Sequence, residues 1–146
     1  MHRATVIILG LALSLGLAAT TQAETRRGDA GANTFVGTPE RDWYWGYDGN
    51  DLLSGRPAAD HLYGGRGVDT LRGGSGADVL RGGRGNDRLR AGGGRDRAYG
   101  GPGNDRISAV AGDRVDFVDC GPGANDYARV AAGDRTVNCE TVERVS

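Results

Sequence analysis

Carboxylates recur in this chain at a fixed interval of nine residues. Asp42, Asp51, Asp60, Asp69, Asp78, Asp87, Asp96 and Asp105 follow one another at that spacing, and Asn33 supplies the corresponding amide one interval earlier. Two residues after each stands an apolar residue, among them Leu53, Leu62, Leu71, Leu80, Leu89 and Ile107. Like carboxylates brought into one column repel, and burying them is costly unless cations lie between them. Carboxylate oxygens beside glycine-exposed carbonyls form a flexible all-oxygen environment, which suits Ca²⁺ better than Mg²⁺ and far better than Zn²⁺. A single such Asp would serve equally well in an Asx turn, so it is the column that asks for a counter-ion.

The elements that position these groups follow from the same period. From Gly28 to Ser108 the chain divides into nine consecutive units: GDAGANTFV, GTPERDWYW, GYDGNDLLS, GRPAADHLY, GGRGVDTLR, GGSGADVLR, GGRGNDRLR, AGGGRDRAY and GGPGNDRIS. A nine-residue unit cannot enclose a core alone, so neighbours must stack as a solenoid. Glycines at places one, two and four suit a sharp turn, and the last three residues read as a short strand with its middle side chain inward. Two units would make a coil of eighteen residues, and nine units about four and a half coils, a rod roughly 20 Å long. The expected fold is all-β, with Asp69, Asp87 and Asp105 in one column and Asp78 and Asp96 in another.

The units GGRGVDTLR, GGSGADVLR, GGRGNDRLR and GGPGNDRIS resemble the hemolysin-type, or RTX, calcium-binding nonapeptide repeat. The resemblance implies a parallel β-roll, a form of β-solenoid, with several Ca²⁺ ions between its turns. It implies ligands at Asp51, Asp60, Asp69, Asp78, Asp87, Asp96 and Asp105 and at the backbone carbonyls of turn glycines such as Gly64, Gly73, Gly82 and Gly100. The units containing Asn33 and Asp42 depart from the pattern, with Glu40 in a glycine place; Pro57, Ala58 and Ala59 weaken the unit of Asp60. The block from Gly64 to Ser108 keeps it best.

Four segments are expected. Residues 1–23 carry His2 and Arg3 before an apolar run and end in Thr-Gln-Ala, the pattern of a cleaved secretory signal peptide, so the mature chain is read as secreted and without a membrane span. Residues 24–45 are degenerate repeats forming a cap, 46–108 are the calcium-binding repeats, and 109–146 form a terminal cap. In that last segment Val115, Phe117, Val118, Tyr127, Val130 and Val137 are available to cover the final coil. Cys120 and Cys139 are the only cysteines, and in an exported chain they are read as a disulfide, worth roughly 3 kcal/mol by loop closure. Asp116 and Asn125-Asp126 are candidates for one further cation site.

An enzyme is not expected: His61, Ser54, Ser75 and Ser108 lack the context of a nucleophile and base, and no phosphate loop or EF-hand is present. Formal net charge is −1, and all 18 basic residues are Arg, which does not by itself mark a nucleic-acid partner. The alternative to a calcium-folding module is a surface or adhesion module with calcium purely structural, binding a glycan, an anion such as a polysaccharide or nucleic acid, or a cell-surface or extracellular protein. It would use Trp43 and Trp45, or ladders formed by Arg72, Arg81, Arg90, Arg84 and Arg88. The competing reading of Trp43, Tyr44, Trp45 and Tyr47 is a cap, with Tyr44 inward and the tryptophans outward.

Overall fold

The computed structural model describes residues 22–111 and 114–146. The leader expected over 1–23 falls almost wholly outside them. Fourteen strands make up the described fold: β1 Thr25–Arg27, β2 Thr34–Val36, β3 Trp43–Asp48, β4 Leu52–Pro57, β5 His61–Arg66, β6 Thr70–Ser75, β7 Val79–Arg84, β8 Arg88–Gly93, β9 Arg97–Tyr99, β10 Arg106–Ala109, β11 Phe117–Asp119, β12 Tyr127–Ala131, β13 Arg135–Val137 and β14 Thr141–Val145. Odd-numbered strands form one seven-stranded sheet and even-numbered strands the other. Every pairing is parallel, giving a β-roll of about seven turns. Among the described residues no helix is long and apolar enough to cross a membrane.

The roll exceeds the four and a half coils counted from the nine units, because the segment after Ser108 continues both sheets. Its spacing changes while its pairing does not. Up to Ser108 paired residues are eighteen apart, as in Leu71↔Leu89. Beyond it Arg97 pairs with Phe117, Arg106 with Tyr127, and Tyr127 with Thr141. Insertions and deletions are absorbed in the turns. Val118 and Val130 therefore enter the interior as rungs, while Val115 and Val137 remain exposed rather than covering the last coil.

Inward side chains build the core, one on each strand from β3 to β12 and a second, Ala91, Ala109 or Val130, on β8, β10 and β12. Tyr44, Leu62, Leu80, Ala98 and Val118 come from the odd sheet; Leu53, Leu71, Leu89, Ile107 and Ala128 come from the even sheet. A core so thin needs closure at both ends. At the start, Arg26 pairs with Glu24 at 2.7 Å, and the Tyr44 hydroxyl donates to the same carboxylate. At the finish, Arg144 donates to the Asp134 carbonyl at 3.0 Å and to the Thr136 hydroxyl at 3.3 Å. These charged groups also discourage edge-to-edge stacking of copies. The Cys120–Cys139 disulfide joins successive turns of the last coils, where spacing is least regular.

Outside the odd sheet, Trp43 stacks on His61 and Trp45 on Tyr63, each pair nearly parallel with ring centroids 5.4 Å apart. Parallel rings at this separation are offset-stacked. Arg27 covers Trp45 from the other side, and Arg81 lies between Tyr63 and Tyr99. The outward orientation expected for the tryptophans is found, but their faces turn toward neighbouring coils. Neighbouring side chains thus occupy these faces, an arrangement that lends no support to a sugar-stacking platform.

Turn glycines at the second and fourth places have positive φ, including Gly65, Gly67, Gly83 and Gly85. Tyr47, Arg56 and Ala58 occupy equivalent places with φ of 78°, 80° and 90°, a conformation unfavourable for side chains bearing Cβ. Ala58→Gly is therefore expected to stabilise the calcium-loaded protein by about 1 kcal/mol, net of the entropy gained by the unfolded chain. Denaturant unfolding of the two proteins at one calcium concentration measures the difference.

Candidate metal centre

Each of the fourteen strands is preceded by an acid or its amide, from Glu24 before β1 to Glu140 before β14. Turns after even strands carry Asp42, Asp60, Asp78, Asp96, Asp116 and Asp134. Turns after odd strands carry Asn33, Asp51, Asp69, Asp87, Asp105, Asp126 and Glu140. Within each column the backbone N–H of one residue donates to a carboxylate oxygen of the next. Asp42 donates to Asp60 Oδ1 at 2.7 Å, Asp60 to Asp78 at 2.8 Å and Asp78 to Asp96 at 2.9 Å. Asp51 donates to Asp69, Asp69 to Asp87, and Asp87 to Asp105, all at 2.8 Å. A strand entering the sheet from a turn leaves an N–H with no ladder partner, and this bond satisfies it.

The second oxygen has no such partner. Oδ2 of Asp51, Asp60, Asp69, Asp78, Asp87, Asp96, Asp105 and Asp126 is buried without a hydrogen bond. All but that of Asp96 point toward a place opened by glycine: a Cβ added at Gly64 would collide with Asp69 Oδ2 and the Gly82 carbonyl. A Cβ at Gly82 would likewise meet Asp87 Oδ2 and the Gly100 carbonyl, and one at Gly46 would meet Asp51 Oδ2 and the Gly64 carbonyl. A carboxylate oxygen and a carbonyl from the next coil thus converge where a side chain would otherwise stand. Orphaned anionic oxygens beside carbonyls fit a hard cation. Among the described residues no three His, Cys, Asp or Glu side chains converge, so any such site depends on backbone oxygen.

The two columns differ. Along the odd-sheet turns, Gly46, Gly64, Gly82 and Gly100 keep the space open, until Cys120 takes the equivalent place. Along the even-sheet turns, only Gly37, Gly55 and Gly73 do so; Ala91, Ala109 and Val130 then direct side chains into the core. Asp42 is closed by the chain itself, since its carboxylate accepts from the N–H and hydroxyl of Thr38. The Asp134 Oδ2 is closed by the Ala131 N–H at 2.8 Å.

All seven Asp residues singled out from the sequence lie in these columns, and Gly64, Gly73, Gly82 and Gly100 lie against them. Asp60 sits as deeply as its neighbours despite its irregular unit. The columns also take in Asp116, Asp126, Asp134 and Glu140. Their signal was an acid two residues before each inward position, as in Asp126-Tyr127-Ala128, obscured once the nine-residue spacing lapsed. His61 is half-buried against Trp43, and burial lowers its pKa, aided by Arg41 and Arg81.

Burial raises the carboxyl pKa values of Asp60, Asp69, Asp78, Asp87, Asp105 and Asp116, while the N–H from the preceding coil opposes the rise and neighbouring carboxylates in the column add to it. Asp60, Asp69, Asp87, Asp105 and Asp116 are pushed up to about 6 and Asp78 to about 7. Folding without metal thus takes up protons. The resulting stabilisation is present below the ordinary carboxyl pKa of 3.8 and is lost as pH rises through 6 to 7. Ion-free protein is accordingly expected to be more stable to urea at pH 4 than at pH 7, with saturating calcium removing the difference.

A family model described as the RTX calcium-binding nonapeptide repeat matches four times, over residues 27–62, 45–80, 54–89 and 81–115. Comparison with curated proteins and with solved structures yields no match. The matched region runs from the second strand's approach to the end of the regular coils and covers more than half of the 146 residues. It contains the columns from Asn33 to Asp105, the glycine-opened spaces beside them and strands β2–β10 of the parallel sheets. This chain belongs to the RTX calcium-binding nonapeptide repeat family.

Proposed function

We propose that this roll is a calcium-dependent folding module, ordered by several Ca²⁺ ions held between its stacked turns. The observation that carries the reading is the set of eight buried Asp Oδ2 atoms without a donor. The RTX repeat is a structural calcium-binding repeat rather than a catalytic one, and the module is read as non-enzymatic. Asp51, Asp69, Asp87 and Asp105, with the carbonyls of the glycine column beside them, would hold the ions most completely. Asp60 and Asp78 would form a shorter second row, while Asp96, beside Ala91, has less space. Bound calcium supplies positive charge between carboxylates that otherwise face one another; the chain supplies rigid turns that hold their oxygens in register.

Metal and fold should then be linked. A pre-formed set of stacked turns does not exist in the unfolded chain, so binding free energy becomes folding free energy. Removal of residues 1–23 and delivery of the unfolded chain to a calcium-rich exterior would let folding follow export. The segment 46–108 would be the calcium-binding body, flanked by 24–45 and 109–146 as its ends.

Far-UV circular dichroism of the chain from Glu24, titrated with Ca²⁺ under chelator control, tests the reading. A strand spectrum is expected to replace a largely unfolded one as calcium rises, with Mg²⁺ ineffective at the same concentrations. An identical strand spectrum in chelator and in calcium would refute the coupling.

A further inference from the structure

The near-zero net charge conceals a separation of sign. Eleven Asp side chains are buried, all of them in the two carboxylate columns. All 17 described arginines are exposed. Their densest adjacent group lies on the outer face of the even sheet, where alternation turns the first and third residues of each strand outward. On β6 these are Thr70 and Arg72, on β8 Arg88 and Arg90, and on β10 Arg106 and Ser108. Register places Arg72 beside Arg90 and Arg88 beside Arg106. Arg81, from an intervening unit, lies on the opposite sheet between Tyr63 and Tyr99.

Four arginines therefore share three adjacent strands, their backbone positions about 4.8 Å apart across the sheet and roughly 6.6 Å apart along a strand. The outward residues of these strands include no acid, and the described ion pairs, Arg26–Glu24 and Arg129–Glu143, do not involve the four. Like charges this close repel one another, and a multivalent anion relieves the repulsion while matching the fork geometry of each guanidinium. The face is flat, and its other outward groups are Thr70 and Ser108 hydroxyls. Its one aromatic neighbour, Tyr127 of β12 beside Arg106, donates its hydroxyl to Glu143, and the face offers no element to enter a groove. A linear chain bearing an acidic group on each sugar can lie across it and meet successive strands.

We propose that Arg72, Arg88, Arg90 and Arg106 bind an acidic polysaccharide, and that calcium loading strengthens the contact. The second clause rests on the calcium function proposed above. Cations held inside a rod this thin cancel the field of the buried carboxylates and leave the exposed arginines dominant, so calcium and polyanion favour one another's binding.

Heparin is the probe, with neutral dextran and duplex DNA as comparators, measured by titration calorimetry across a salt series. Arg88→Gln/Arg90→Gln is compared with Arg66→Gln/Arg84→Gln, which removes the same charge from adjacent exposed arginines at the strand ends of the other sheet. In calcium, the first variant is expected to weaken heparin binding about tenfold and to reduce the slope of log affinity against log salt by about two; the second should change affinity by no more than about twofold. Circular dichroism confirms that each variant folds, and Arg72→Gln with Arg106→Gln repeats the test should the first pair fail to fold. Equal losses in both variants, no heparin binding at low salt, or tighter binding of DNA than of heparin would overturn the assignment. Heparin affinity equal in chelator and calcium for folded protein would overturn only the coupling.

Discussion

The structure depends on one bond repeated from coil to coil: the N–H that enters each strand is held by a carboxylate of the next coil. That bond fixes the register of the roll, because an Asp can reach the preceding turn only when the coils superimpose. It also buries an acid at each level. One oxygen is satisfied by the chain, as in Asp69 to Asp87 at 2.8 Å, and the other is left bare. The interaction that aligns the coils therefore creates the charge that opposes them. Calcium suits this conflict because it can face oxygens from successive turns without demanding a side-chain cage.

The glycines follow from the same constraint. At Gly64 and Gly82 the missing side chain is the space into which Oδ2 and a carbonyl point. Where Thr38 satisfies Asp42 internally, and where Ala131 satisfies Asp134, the chain closes the carboxylate with its own donors. These closures lie toward the two ends, alongside the polar caps of Arg26 and Arg144 and the disulfide. Bare oxygens are concentrated in the middle, beneath the regular sheets and their leucine rungs.

Much of this was legible in the sequence because one period serves two purposes. The spacing that places Leu71 and Leu89 inward also places Asp69 and Asp87 in a column, so fold and candidate site could be read together. The C-terminal coils were less legible: strand pairing tolerates the change from eighteen residues to twenty, twenty-one and fourteen, whereas a period count does not. Which oxygen of each Asp is bare was also hidden, since it depends on a hydrogen bond between residues eighteen apart. The arginines illustrate a third limit. Arg72, Arg81 and Arg90 end successive units, but alternate units enter opposite sheets, so Arg81 is separated from the other two and Arg106 takes its place beside Arg88.

The central claim is that buried, uncompensated charge makes the roll require a cation. Substituting Asn at Asp69, Asp87 and Asp105 preserves an oxygen for the incoming N–H, removes the charge, and offers an N–H₂ donor to the neighbouring carbonyl. Far-UV circular dichroism of this triple variant in chelator is the most direct measurement. The account predicts markedly more strand structure than in the unsubstituted protein under the same conditions, together with a weaker response to added calcium. A variant as unfolded in chelator as the unsubstituted protein, and equally responsive to calcium, would contradict it.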